Sequence, residues 1–154
     1  MRSRLRAFSA IAGSALLVVG VAAGCEASEA SKIGACVIRP GALCAGNYMH
    51  GAKLTASNLF DADFDHTDLT RVVLSSSNLS GATMQGARLV GAKLDSTTFS
   101  YADLTHADLT HADLTAADLT AADLTAATVT PAQLTRAKLC RTTLPDGTLT
   151  NPDC

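Results

Sequence analysis

Residues 102–125 read ADLTHADLTHADLTAADLTAADLT, a run in which every fifth residue is Leu and the residue two before it is Ala. The same frame extends in both directions without insertion or deletion. Stepping by five from Leu104 gives Met49, Leu54, Leu59, Phe64, Leu69, Leu74, Leu79, Met84, Leu89, Leu94 and Phe99 on one side, and Leu109, Leu114, Leu119, Leu124, Val129, Leu134, Leu139 and Leu144 on the other. These twenty centres are all large and apolar. The position two before each centre is restricted as well, mostly to Ala, with Ser, Thr or Asn at most of the others and Val72 at one.

A period of five suits neither regular element. A helix needs apolar residues at 3.6 spacing and a strand at 2, so a strict period of five smears a helical stripe around its whole circumference. The pattern is buried by a chain that turns a corner every five residues and stacks on itself, sending one large and one small side chain inward per step. The other three positions of each step then face water, in keeping with the Asp, Asn, Lys and Thr found there. Self-similarity at a fixed short period is the mark of a solenoid.

The motif resembles that of the pentapeptide-repeat family, often written A(D/N)LXX. The resemblance implies an all-β fold, a right-handed quadrilateral β-helix with four pentapeptides per coil, hence about five coils over residues 47–146. With coils roughly 4.8 Å apart, the rod would be about 24 Å long. Stacking every twentieth residue gives four interior ladders: Met49, Leu69, Leu89, Leu109 and Val129; Leu54, Leu74, Leu94, Leu114 and Leu134; Leu59, Leu79, Phe99, Leu119 and Leu139; and Phe64, Met84, Leu104, Leu124 and Leu144. Solenoid ends need caps, because they leave backbone edges and core open. Residues 36–46 and 147–154 are the expected caps, with Pro145-Asp146-Gly147 as a turn signal.

The N-terminus reads as an export signal over residues 1–24, with Arg2, Arg4 and Arg6 ahead of an apolar run from Ala10 to Ala23 that is too short for a membrane span. Val21-Ala22-Ala23-Gly24-Cys25 resembles a bacterial lipoprotein signal, which implies cleavage before Cys25 and lipid on that residue. Ala22 stands where such signals usually carry Leu. An ordinary signal peptide cut after Ala23 or Ala30 is the competing reading. Residues 25–35 then form a flexible tether.

Of the five cysteines, lipidating or removing Cys25 leaves four: Cys36 and Cys44 before the repeats, Cys140 and Cys154 after them. An even set flanking a small exported domain is a disulfide framework. At the rod length that the resemblance implies, the two ends lie too far apart for a bond whose Cα atoms must approach within about 7 Å. The expected pairs are therefore Cys36 with Cys44 and Cys140 with Cys154.

Three of the twelve basic residues lie in the leader and all fourteen acidic ones beyond it, so the rest of the chain carries nine against fourteen, near -5. It has no basic patch for nucleic acid. Asp103, Asp108, Asp113, Asp118 and Asp123 are adjacent in the text but fall on successive faces of a square coil. Only Asp103 and Asp123 share a face, which makes these residues a solvated surface rather than paired catalytic carboxylates. His106 and His111 occupy neighbouring corners and His66 lies two coils below His106, so no three histidines converge as metal ligands. No nucleophile stands beside a base and no glycine loop cradles phosphate. The reading is a non-enzymatic, exported structural or protein-interaction module, with no catalytic, cofactor or metal site, an unknown protein partner, a membrane tether and no nucleic acid. A gyrase-binding DNA mimic is the alternative that the family resemblance offers, against which stand the leader, the modest charge interleaved with Arg71, Arg88, Lys93, Arg136 and Lys138, and the short tail. A metal-binding or enzymatic protein is the third class.

Overall fold

A computed structural model describes Lys32–Ile33 and Cys36–Cys154. Strand β1 (Lys32–Ile33) pairs antiparallel with β2 (Cys36–Val37), Ile33 opposite Cys36. From there the chain winds as a solenoid in which each bridge is parallel and joins residues twenty apart: Leu43 to Asp63, Asp63 to Thr83, Thr83 to Asp103, and so on around four columns. Parallel pairing at a fixed separation of twenty means that each coil is four five-residue steps.

The backbone accounts for itself step by step. Around centre Leu89, the Leu89 N–H donates to Asp108 O at 2.7 Å and the Gly91 N–H to Thr110 O at 2.8 Å, both on the next coil; the Lys93 N–H donates to Val72 O at 2.9 Å on the previous one. The Ala92 N–H closes the corner on Leu89 O at 3.0 Å. Four of the five donors in a step thus go to backbone, and buried backbone groups must find partners somewhere. The fifth donor, one after the centre, is where side chains enter. Asp103, Asp108, Asp113, Asp118 and Asp123 each accept the N–H of the residue two further on through Oδ1, at 2.8 to 3.1 Å.

Corners impose their own chemistry. Every fifth residue from Gly41 to Ala126, two after each centre, has φ between +54° and +69°. L-residues enter this left-handed region at a cost of about 1–2 kcal/mol, and β-branched ones are the least tolerated there. The sequence obeys the exclusion: Gly, Ala, Ser, Asp, His, Arg and Tyr occupy these corners, whereas Thr crowds the position just before.

The core is one continuous apolar column. All centres from Met49 to Leu124 are buried, with the Ala residues two before them from Ala62 onward, while Ala52 in the first coil is partly buried. At four of the positions where that small residue is Thr or Ser, its hydroxyl donates to a carbonyl on the preceding coil: Thr67 to Cys44 O at 2.9 Å, Ser77 to Leu54 O and Thr97 to Leu74 O at 2.7 Å, Thr142 to Leu119 O at 2.8 Å. A polar group buried in this way is neutral because it is paired.

Two boundaries differ from expectation. Leu43 bridges Asp63 and Cys44 is fully buried one coil from Phe64, so the coil reaches back into the 36–46 stretch expected as a cap. Cys44 serves as a centre although it is small, and Ala42 as its small partner. At the other end, the expected unbroken register to 146 fails at one side of the last coil, and Val129 and Leu144 are only half-buried. The cause is Pro131, which falls where the next positive φ is due; its ring locks φ near −65°. The chain instead forms helix α1 (Pro131–Leu134), capped by Thr130 in a capping box with Gln133. Gln133 Nε2 donates to Leu109 O at 2.8 Å and Ala112 O at 2.9 Å, so a side chain replaces the missing rung. The turn absorbs one residue: the Ala116 N–H reaches Arg136 O, where the Ser96 N–H reaches Thr115 O, and spacing recovers at Leu119 N–H to Lys138 O. Strand β3 (Thr142–Thr143) then pairs antiparallel with β4 (Leu149–Thr150) across the Pro145-Asp146-Gly147 turn.

Candidate functional site

With the interior filled, anything this molecule binds must meet its faces, its corners or its ends. On the faces, the bridging residues form four columns of differing charge, and the one through Asp63, Thr83, Asp103 and Asp123 carries acids alone. Tyr48, Asp68, Arg88, Asp108 and Thr128 make one; Asn58, Asn78, Thr98, Asp118 and Lys138 make another. Lys138 Nζ lies 3.3 Å from Asp118 Oδ2, an exposed pair of the kind worth a fraction of a kcal/mol. The Thr115 hydroxyl and backbone N–H both donate to Asp113 and hold its carboxyl below the ordinary carboxylate value; Thr148 does the same to Asp146. These carboxylates are stabilised as anions in turns, the opposite of what a general acid requires.

At the corners, large side chains lean over the next coil. A Cβ on Gly86 would lie 2.6 Å from His66 Nδ1, and one on Gly81 would collide with Asp61 Oδ1. His66 and His106 therefore stand two coils apart with Gly86 between. Among the described residues, no three His, Cys, Asp or Glu side chains are grouped as metal ligands.

The ends differ. The C-terminal end is a depression of about 600 Å³ lined by Val129, Leu134, Leu139, Leu144, Pro145 and Pro152 among others, the open core beyond the last coil. At the N-terminal end Cys36 of β2 is fully buried in the core, and the first coil carries Leu43 and Tyr48 turned outward, 79% and 84% exposed. Each end holds a disulfide: Cys36–Cys44 with Cα atoms 4.8 Å apart, and Cys140–Cys154 with Cα atoms 4.9 Å apart. Cys25, read as the lipidation site, lies outside the described residues, as do the leader and most of the tether.

The turn-capping role of the aspartates is what sequence reasoning missed. Its signal was present, since Asp followed two residues later by Thr recurs in the repeat, the spacing of an Asx turn.

The register of twenty, the corner conformation and the paired large and small centres define a β-helix built from pentapeptides. Residues 57–95 and 92–130 match the family model of pentapeptide repeats, in eight copies. The chain belongs to the pentapeptide-repeat family, and its fold is the right-handed β-helix of that family. Solved structures similar to it include HetL, a pentapeptide repeat protein involved in heterocyst differentiation regulation from the cyanobacterium Nostoc sp. strain PCC 7120 (26% identity, 70% of this chain and 64% of that one, TM-score 0.32). QnrB1, a plasmid-mediated fluoroquinolone resistance protein, aligns at 20% identity over 68% of this chain and 60% of that one, TM-score 0.35. A pentapeptide repeat protein from the Arabidopsis thaliana thylakoid lumen aligns at 24% identity over 66% and 63%, TM-score 0.21. The chain spans slightly under two thirds of the length of each of these. No curated protein matches it by sequence.

Proposed function

We propose that this chain is an exported, non-enzymatic protein-interaction rod of about five coils, held at the outer face of a bacterial membrane by lipid on Cys25. The observation that carries the reading is the placing of the cysteines: the four beyond Cys25 pair within each end of the rod, Cys36 with Cys44 and Cys140 with Cys154, leaving Cys25 as the odd one in a leader of the lipoprotein type. Disulfides persist in oxidising compartments, and small exported domains rely on them. A rod with a filled core and carboxylates engaged in turns suits binding rather than catalysis, so its partner is a protein that reads its flat faces. Three of the four columns carry a base, Arg88, Lys93 and Lys138 among them, and only the column of Asp63, Asp103 and Asp123 is acidic throughout, so the surface as a whole is not the uniformly negative one a DNA mimic needs.

Intact-mass measurement of the mature protein tests this. The expected result is an N-terminus at Cys25 carrying acyl mass, with four cysteines oxidised. A chain that keeps its leader, or four free thiols, overturns the reading.

A further inference from the structure

The first coil is chemically unlike the rest of the rod. From Cys36 to Phe60 the charged side chains are Arg39 and Lys53, with no acid; residues 61–154 hold twelve acids against six bases. The same coil displays Leu43 and Tyr48, the two most exposed large apolar side chains among the described residues, at 79% and 84%. Leu43, Tyr48 and Lys53 head three different columns, bridging Asp63, Asp68 and Val73. They therefore stand on three successive faces at one level, a girdle around the end of the rod and not a patch on its side. A partner lying along a face would touch one of them. A plane met end-on, which first meets the exposed Arg39 and Pro40 where the chain enters the first coil, is the surface able to reach all three.

We infer that this N-terminal rim docks end-on onto an anionic phospholipid surface, with Tyr48 and Leu43 entering the headgroup layer and Arg39 and Lys53 facing its phosphates. Three features set the occupant. Basic and aromatic residues with an apolar neighbour are the composition of an interfacial belt, where Tyr offers a ring to the acyl boundary and a hydroxyl to water. The chain enters the solenoid at this end, and Cys25 precedes Cys36 by eleven positions. Depth is limited by the second coil, because Asp63 and Asp68 sit directly above Leu43 and Tyr48 and would be repelled by anionic lipid. Glu26 and Glu29 in the tether partly offset the basic charge, so the apolar girdle supplies most of the contact. The inference deepens the membrane-tethered reading. A tether of eleven residues reaches up to about 36 Å when extended, enough to let the rod stand off, so the anchor alone does not impose this contact.

The chain has no Trp and two Tyr, which supplies the test. Tyr48→Trp and Tyr101→Trp each place a single fluorophore on an exposed corner or face, the second roughly 13 Å farther along the axis at 4.8 Å per coil. Each full-length variant, with its N-terminus as processed, is bound to vesicles of mixed phosphatidylglycerol and phosphatidylcholine and to phosphatidylcholine alone. Expected on the anionic vesicles is a blue-shifted emission quenched by brominated lipid for Tyr48→Trp only, and on the order of tenfold weaker partitioning of the unlipidated rod when Leu43→Ser and Tyr48→Ser are combined. Equal quenching of both fluorophores, no response from Tyr48→Trp, or indifference to anionic lipid overturns the inference. Mass and fluorescence separate the two readings: acylated Cys25 with a silent Tyr48→Trp sinks the docking and spares the anchor, and unmodified Cys25 with a responding Tyr48→Trp does the reverse.

Discussion

Between Ala102 and Thr125 every residue sits where the period of five puts it; between Thr130 and Arg136 the same period runs on in the letters while the backbone departs from it, to rejoin it at Lys138. Both stretches keep large apolar centres, and Ala132 precedes Leu134 as Ala102 precedes Leu104. What separates them is the corner. Tyr101, His106, His111, Ala116, Ala121 and Ala126 take positive φ, and Pro131 is unable to follow. Large inward side chains are necessary for a coil, and a corner residue able to adopt the left-handed conformation is equally necessary. The last coil survives on substitutes: a capped helical turn, the Gln133 amide in place of a backbone rung, and a disulfide at its end.

That contrast can be broken at graded cost. Leu104→Asp places a charge in the sealed column and should abolish cooperative unfolding, a loss of about 4 kcal/mol or more, whereas Val129→Asp at the half-open end should leave a folded rod with a lowered Tm; circular dichroism melts of both variants decide it. Equal damage at the two sites would erase the distinction between regions. Gln133→Ala leaves the Ala112 carbonyl without its partner and removes the Gln133 half of the capping box, at a cost of about 1–2 kcal/mol, read in denaturant titration and in hydrogen exchange confined to the last coil.

Smaller effects sharpen the account of the regular region. Gly86→Ala should cost about 1–2 kcal/mol because its methyl meets the His66 ring, and His66→Ala in the same chain should recover most of that loss; the φ of residue 86 is one that Ala116 and Ala121 already adopt, so strain at the corner is not the main term. Asp123→Ala leaves the Thr125 N–H without its acceptor and should lower stability by about 1 kcal/mol in equilibrium unfolding. Acid acts last and least. Asp113 and Asp146 bind their protons more weakly in the fold than in the unfolded chain, so the stability they add is present above an unfolded pKa of about 3.9 and is lost as pH falls through their lower folded values. Melting temperature should therefore be flat from neutral pH to about 4 and decline only below it.

Much of the fold was legible because its rule is local. The centres from Met49 to Leu124 announce themselves every five residues, and one repeat is enough to say which side chain is large and inward. The slip at α1 was harder to read, since Ala132 and Leu134 keep the frame in the text while Pro131 violates a backbone requirement that carries no hydrophobic signature. The start at Leu43 was hidden for a related reason: Cys44 is a small centre, and an apolar-size rule passes over it. The charge of the aspartates is conspicuous in the letters and points to surface, although their work is to accept one backbone N–H per step. The outward girdle of Leu43 and Tyr48 depends on which residues share a level of the coil, and it becomes visible once columns of twenty replace repeats of five.

The crowding at the corners has a consequence for anything that reads this surface. Along one edge the residues run Gly41, Asp61, Gly81, Tyr101, Ala121 and Arg141, and along another Gly46, His66, Gly86, His106 and Ala126. Since a bulky group occupies the space above its successor, as Asp61 and His66 do over Gly81 and Gly86, an edge tolerates one such group every second coil. The rod is in effect a ruler graduated at roughly 10 Å, twice the strand spacing, and a partner gripping its edges would have to carry recognition elements at that pitch.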